Sequence, residues 1–179
     1  MNVNQLTQKS IEAVQAAQQS ANERGNTEVS QLHLFSALLE QPDGLISSLL
    51  SGMGVNLSSL ATDLRREMEA LPTYSGSTNP EQIYVAQSLN NALNEAEKKA
   101  KEMGDQYISV EHLFFGLIKK PAETVKKLLT KYCITEKAFA EQLKTVRGSR
   151  KVNSDSPEST YDVLTKYGQH LVELAKNQK

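Results

Sequence analysis

The stretch that decides the fold is SQLHLFSALL, residues 30–39, because nearly the same residues return as SVEHLFFGLI, residues 109–118. Each copy has a serine, a histidine three positions later, and then a Leu-Phe pair. A metal site, a catalytic pair or a duplicated helix start would each produce such a repeat. These possibilities imply different functions, and the residues around the two copies distinguish between them.

A shift of 79 residues aligns the two copies without a gap and extends well beyond them. The matched positions include turn residues and members of apolar stripes: Gly25 with Gly104, Ala13 with Ala92, Ala17 with Ala96, Leu38 with Leu117, Pro42 with Pro121 and Leu64 with Leu143. The chain is therefore an internal duplication. Its apolar residues recur three and four positions apart in runs rich in Ala, Glu, Gln and Lys, which predicts an all-α fold.

Each repeat divides into four predicted helices, which end at capping residues, glycines or prolines. In the first repeat they run from Asn4 to Arg24, from Ser30 to just before Pro42, over 44–52, and from Asn56 to Leu71. In the second they lie near 80–103, 110–120, 122–132 and 135–147. A unit of about 65 residues buries too little surface to be stable alone. We therefore predict that the repeats pack together with pseudo-twofold symmetry, leaving a groove at their seam.

The predicted organisation is one repeat domain followed by a tail. The domain covers 1–147, with repeats at about 6–71 and 85–146. Residues 148–157 are polar and rich in turn formers, which predicts a flexible linker. Residues 158–179 resume helical spacing, but their apolar stripe has no partner within the chain. We expect this helix to be disordered or packed on a neighbouring molecule, and the chain to continue into another domain.

Composition excludes several classes of protein. Apolar residues make up 39 %, charged residues 23 %, and the formal net charge is −1, so no basic surface is available for nucleic acid. The sequence shows neither a signal peptide nor an apolar run long enough to span a membrane, so we expect a cytoplasmic protein without a membrane partner. Cys133 is the only cysteine, which excludes an internal disulfide and a cysteine-based zinc site.

The paired histidines have two interpretations. A metal or catalytic site would join His33 to His112 across the pseudo-twofold, but further ligands at helical spacing are lacking. In the structural interpretation, Ser30 and Ser109 are N-caps, and each histidine takes the place that Glu or Gln often has in a capping box. We favour the caps, whose loss would cost about 1 kcal/mol each. The sequence also lacks G-x-x-x-x-G-K-[ST], H-E-x-x-H and G-x-S-x-G patterns, so we expect no metal, cofactor or catalytic residue in this chain.

The two copies differ at positions that point to recognition. Glu111 stands opposite Leu32, and Phe115 stands opposite Ser36. These differences place the predicted recognition surface on the second copy.

A four-helix unit written twice, with HLFSALL and HLFFGLI opening its second helix, resembles the amino-terminal repeat domain of the Clp ATPases. The tail RGSRKVNSDSPESTYDVLTKYGQHLVELAKNQK is similar to the segment leading into the first AAA+ module of the disaggregase branch, which implies that 158–179 begin that module. The resemblance implies a non-catalytic domain that recognises unfolded or aggregated polypeptides. It implies a homohexameric parent that uses ATP and Mg²⁺ and cooperates with the DnaK system. An adaptor-docking domain of a protease-linked Clp ATPase is the alternative.

The resemblance also implies substrate-binding residues, namely Thr7, Asp105 and Glu111. To these we add Leu89 and Leu93, the apolar residues of the fifth helix, and Phe115. We expect hydroxyl and acidic groups to rim an apolar groove that suits extended, partly basic and partly apolar segments.

Overall fold

The computed structural model describes residues 3–74 and 83–157. The helices of the first repeat are α1 (Gln8–Glu23), α2 (Gln31–Glu40), α3 (Leu45–Gly52) and α4 (Leu57–Glu69). Those of the second are α5 (Gln87–Glu102), α6 (Val110–Lys119), α7 (Glu123–Lys131) and α8 (Glu136–Arg147). The predicted all-α class with four helices in each repeat is confirmed. The predicted helix over 158–179 lies outside the described residues.

Two predicted helix starts are wrong. A short 3-10 helix, Val3–Gln5, precedes α1, which begins only at Gln8. The first helix of the second repeat begins at Gln87 rather than near residue 80, because Tyr84–Val85 forms strand β2, which pairs in parallel with β1, Glu28–Val29. Aromatic and β-branched residues favour this extended conformation. The other predicted helix ends agree within two residues.

The strand contacts display the pseudo-twofold relation directly. Val29 is paired with Val85, and Leu6 is paired with Ile108. Shifting Val29 forward by 79 residues gives Ile108, and shifting Val85 back by 79 gives Leu6. The same exchange relates two backbone bonds, from the Ala86 N–H to the Val29 carbonyl at 2.9 Å and from the Thr7 N–H to the Ile108 carbonyl at 3.0 Å. Each repeat thus begins by pairing with the segment that precedes the second helix of the other.

Equivalent aromatic residues meet in the core between the repeats. Phe35 of α2 and Phe114 of α6 are 79 residues apart, and their rings make an edge-to-face contact with centroids 5.4 Å apart. Phe139 of α8 packs on Phe114 with centroids 4.8 Å apart. All three side chains are fully buried. Because neither repeat alone would cover these rings, the two form one core, as the small size of each unit predicts.

Small residues let α6 lie very close to α5. A Cβ atom added to Gly116 would lie 2.1 Å from the carbonyl oxygen of Ala92, a distance that no side chain can occupy. Gly116 corresponds to Ala37 in the first repeat. The second repeat therefore holds its first two helices in a contact that only glycine permits at this position.

No single helix among residues 3–74 and 83–157 is both long and apolar enough to cross a membrane. Within these same residues, α3 and α4 taken together have a suitable length and composition, but these two helices are bent by 120° relative to each other.

Candidate functional site

Both predicted capping boxes are present. The backbone N–H of Ser30 donates to Nδ1 of His33 at 2.9 Å, and the Ser30 side chain accepts from the His33 backbone N–H. Ser109 and His112 repeat this arrangement, also with 2.9 Å between Ser109 N and His112 Nδ1. Because a backbone N–H can only donate, Nδ1 is unprotonated in both rings and the proton lies on Nε2. The capping interpretation of the histidines is confirmed.

The second ring nitrogen of each histidine binds a different partner in the two copies. Nε2 of His33 donates to Oδ1 of Asn26 at 2.9 Å, whereas Nε2 of His112 donates to Oδ2 of Asp105 at 2.7 Å. Burial, and secondarily the charge of Arg24, lowers the pKa of His33 to about 4, so its ring is neutral. With both nitrogens of both rings engaged, none can bind a metal ion, and this removes the metal interpretation of the pair.

Ser109, His112 and Asp105 have the residue types of a hydrolytic triad without its geometry. The Ser109 hydroxyl lies 3.0 Å from His112 Nδ1, a nitrogen that already accepts the Ser109 backbone N–H. All three side chains are buried, so no substrate can reach the hydroxyl. A general base needs a free lone pair facing an accessible nucleophile. The arrangement is structural.

A buried ionic cluster lies beside His112. The Arg147 guanidinium donates to Asp105 Oδ1, its Nη1 lies 3.5 Å from Glu111 Oε1, and its Nε donates to the Arg150 carbonyl at 2.8 Å. Arg147 is 3 % exposed, and both carboxylates are fully buried. Among the described residues, Glu111 Oε2 has no hydrogen-bond partner. One guanidinium therefore holds two buried carboxylates.

Competing effects set the charge state of Asp105. Burial alone would raise the pKa of its carboxyl group, but hydrogen bonds from His112, Arg147 and the Val152 N–H, together with the Arg147 charge, outweigh burial and lower that pKa to about 2. Asp105 is therefore ionised at neutral pH, as its role as a triple acceptor requires.

The segment 148–157, which we call the strap, is fastened to both repeats. Asp105 Oδ1 accepts from the Val152 N–H at 3.0 Å, and the Gln106 N–H donates to the Val152 carbonyl at 2.9 Å. Farther along, the Gln8 N–H donates to the Asp155 carbonyl at 2.7 Å. Val152 is fully buried. The sequence predicted a flexible linker here. That prediction overlooked partners distant in sequence: the Asp105 carboxylate accepts from the strap, and the Gln106 and Gln8 N–H groups donate to it.

The predicted substrate-binding residues are mostly inside the fold. Thr7 is the N-cap of α1, accepting from the Ser10 N–H at 3.2 Å, and it is fully buried. Asp105 and Glu111 belong to the ionic cluster, so the expectation that these three side chains rim a surface groove is wrong. Their polar groups are satisfied mainly within the protein, which is the condition for burying them.

The three apolar candidates also differ in position. Leu89 and Phe115 are buried, while Leu93 on α5 is half-buried and packs against the core. Phe115 makes an edge-to-face contact with Phe139, with centroids 4.9 Å apart. The Nζ of Lys99 lies 4.6 Å from the centre of the Phe115 ring.

A cavity of about 260 Å³ opens between α5, α8 and the strap, and we call it the strap cavity. It is lined by Lys99, Met103, Phe115, Ala140, Leu143, Lys144, Arg147, Gly148, Ser149, Arg150 and Lys151. A second cavity, of about 380 Å³, lies between α1 and β2, with glutamines and an asparagine on one wall and Val29, Ile83 and Val85 on the other. Of the six predicted substrate residues, Phe115 lines the strap cavity.

Sequence reasoning missed Arg147, the residue that joins the cluster to the strap. The signal was available in the 79-residue shift, because Asp105, Glu111 and Arg147 replace Asn26, Leu32 and Met68. Three neutral positions of the first repeat thus become charged together in the second. Matching residues in the two repeats reveal the shared fold, whereas these joint replacements mark the charged cluster.

Comparison with known proteins identifies the domain. Residues 5–132 match the family model described as the Clp repeat (R) N-terminal domain. The chain belongs to the Clp repeat domain family. The Clp repeat domain is a non-catalytic amino-terminal module of AAA+ ATPases, which agrees with a buried Ser-His-Asp arrangement that no substrate can enter.

Curated relatives of this Clp repeat domain are chaperones. The whole chain is 34 % identical to the chaperone protein ClpB of Clostridium tetani and 38 % identical to that of Nitratidesulfovibrio vulgaris. In both cases it covers 21 % of the relative, so the chain spans about a fifth of the length of these proteins.

Solved structures confirm the fold of this Clp repeat domain. The Hsp104 N-terminal domain from Candida albicans superposes with a TM-score of 0.75 at 17 % identity, covering 86 % of this chain and 98 % of that one. The N-terminal domain of the ClpV1 ATPase from E. coli superposes with a TM-score of 0.64 at 22 % identity, covering 77 % and 83 %. At these identities the likeness shows a shared fold.

Proposed function

We propose that the chain is the substrate-recognition N-terminal module of a ClpB-type protein disaggregase and binds exposed segments of unfolded or aggregated proteins. The observation that carries this proposal is the match of the entire chain, strap included, to one fifth of the ClpB relatives. The proposed parent is a cytoplasmic homohexamer that works with the DnaK system. ATP and Mg²⁺ would bind in its ATPase modules, because these 179 residues contain no phosphate-binding loop.

The proposed binding surface lies on the second repeat, around Leu93 and Phe115. Leu93 presents part of its side chain outside the core, and Phe115 forms part of the strap cavity. Thr7, Asp105 and Glu111 act in this proposal as positioning residues. Thr7 begins α1, and the two carboxylates hold Arg147 and, through Asp105, the strap. Leu89 supports α5 from the buried side of that helix.

The test is binding of a permanently unfolded, fluorescently labelled protein, measured by anisotropy. Leu93→Ser should weaken binding about threefold to tenfold, since a half-buried leucine loses part of its apolar contact. Val14→Ser is the matched control, because Val14 occupies the equivalent half-buried position in the first repeat. Equal losses in both variants, or none in either, would contradict the proposed surface. Tight binding of a folded adaptor without binding of unfolded protein would favour the protease-linked alternative.

A further inference from the structure

We propose that the strap cavity receives an apolar side chain of a client segment that carries carboxylates on either side of that side chain. This proposal rests on the proposed function and adds a preference to it. The sequence alone suggested basic segments, on the expectation that Asp105 and Glu111 face solvent. Because these two carboxylates are buried, the charged residues that line the strap cavity are lysines and arginines. Glu95, Glu102 and Glu136 line a separate, smaller cavity, which shares Phe115 and Lys99 with the strap cavity.

The floor of the strap cavity is apolar. Phe115, Ala140 and Leu143 form it, with Met103 at one side. Its volume of about 260 Å³ lies below the roughly 300–1,000 Å³ of small-molecule pockets. A space of this size suits one or two side chains of an extended peptide, with the peptide backbone outside on the rim.

The rim of the strap cavity is cationic, and its lining residues include no carboxylate. Two of its five cations are already paired: Arg147 with Asp105 and Glu111, and Lys99 with Glu136 at 3.5 Å. Within 3–74 and 83–157, no carboxylate lies within 4.0 Å of the charged groups of Lys144, Arg150 or Lys151.

These three cations point to the occupant. Lys151 donates to the Met103 carbonyl at 2.5 Å, which holds it at the rim. Lys144 and Arg150 are exposed and form no ion pair within the described parts of the chain. Positive groups around an apolar floor complement a segment in which carboxylates flank an apolar residue, and they disfavour one flanked by lysines.

The first repeat shows that the fold does not require this charge. At the equivalent positions the cationic side chain of Lys144 is kept as Arg65, but the others are lost: Lys99 becomes Ser20, Arg147 becomes Met68, Arg150 becomes Leu71 and Lys151 becomes Pro72. Phe115 is likewise replaced by Ser36. Phe115 and four of the five rim cations therefore occur together in the second repeat and are replaced at the matching positions of the first, as expected if they form one site.

Two labelled ten-residue peptides test the proposal with the full chain. Both have a central Leu-Phe pair, which is flanked by glutamates in one peptide and by lysines in the other. At low salt we expect the glutamate peptide to bind at least tenfold more tightly and to shift the amide signals of residues 148–151. Lys144→Gln and Arg150→Gln should each weaken it about twofold to fivefold, the range of exposed ion pairs. The double variant should lose fourfold or more.

Arg65→Gln is the matched control, because Arg65 is the exposed equivalent of Lys144 in the first repeat, and this variant should bind the peptide as the unchanged chain does. Equal binding of the two peptides, no binding of the glutamate peptide, or equal losses in Arg65→Gln and Lys144→Gln would overturn the proposal. Binding of the unfolded protein is measured in parallel. If it persists while the peptide preference fails, the cavity assignment is wrong and the proposed function stands.

Discussion

Replacing Arg147 with methionine should be among the most damaging single substitutions in this domain. Met68 occupies the equivalent position of the first repeat, so Arg147→Met introduces a side chain that the same fold already accommodates. We therefore expect methionine to fit at position 147 without steric clashes. It removes the guanidinium that contacts Asp105 and Glu111 and that donates to the Arg150 carbonyl.

The expected loss of stability depends on which hydrogen bonds the two carboxylates retain in this variant. Asp105 retains its hydrogen bonds from His112 at 2.7 Å and from the Val152 N–H at 3.0 Å. Glu111 loses its only polar contact among the described residues. Leaving a buried charge without its partner costs about 3–5 kcal/mol, a large part of the ~5–15 kcal/mol that stabilises a typical domain. The melting temperature should fall by about 6–20 °C.

The matched control is the triple variant Asp105→Asn, Glu111→Leu and Arg147→Met, which copies Asn26, Leu32 and Met68 into the second repeat. Replacing a whole buried ionic cluster with neutral residues of similar shape is often neutral or stabilising by about 1–4 kcal/mol. The triple variant also leaves the Val152 N–H without its acceptor, which costs about 1–3 kcal/mol, so we expect it to be less destabilised than Arg147→Met. Urea unfolding followed by circular dichroism gives both free energies. The reasoning would be refuted if Arg147→Met cost under 1 kcal/mol, or if the triple variant were as unstable as the single one.

Two further substitutions test other parts of the fold. His33 has a pKa of about 4 in the folded protein, below its ordinary value of 6.5, so its contribution is present above pH 6.5 and is lost as the pH falls to 4. Between pH 6.5 and pH 4 the free energy of unfolding of the unchanged chain should therefore fall by about 3 kcal/mol because of this residue, and His33→Gln should not show that fall. Urea unfolding measured across this pH range tests the prediction, and the same pH dependence in both proteins would contradict it. Gly116→Ala should destabilise by at least about 2 kcal/mol, because its Cβ would lie 2.1 Å from the Ala92 carbonyl oxygen. Helix propensity alone predicts a gain of about 1 kcal/mol, so a more stable variant in thermal unfolding would show that α5 and α6 separate without cost.

The features that the sequence predicted correctly are local or repeated. A capping box involves residues three positions apart, so Ser30 with His33 and Ser109 with His112 could be identified without knowledge of the tertiary fold. Helix periodicity is equally local. The 79-residue shift predicted one tertiary feature, the packing of the two repeats on each other, because a duplicated unit too small to be stable alone has to pack on its copy.

The features that it missed depend on contacts between distant residues. Arg147 meets Asp105 across 42 positions, and Asp155 meets Gln8 across 147. A polar, turn-rich segment such as 148–157 looks the same in sequence whether its backbone groups bind water or buried side chains. The resemblance implies that Thr7, Asp105 and Glu111 bind substrate, but it could not show that their side chains are buried.

The two repeats fasten the segment after their last helix in different ways. In the first repeat the Thr27 N–H donates to the carbonyl of Pro72, which has no N–H of its own, whereas in the second the Gln106 N–H donates to the carbonyl of Val152, which has one. An N–H at the position of Val152 needs a buried acceptor, and Asp105 supplies two oxygens, one for His112 and one shared by Val152 and Arg147. Asn26 has a single oxygen, which His33 already uses, and its amide nitrogen donates to the Pro72 carbonyl at 3.2 Å. Once the aspartate is present, its buried charge requires a cation, and Arg147 at the end of α8 is the cation that also reaches the strap. Aspartate, arginine and strap therefore form one structural unit, and changing any one of them alone leaves the others unsatisfied.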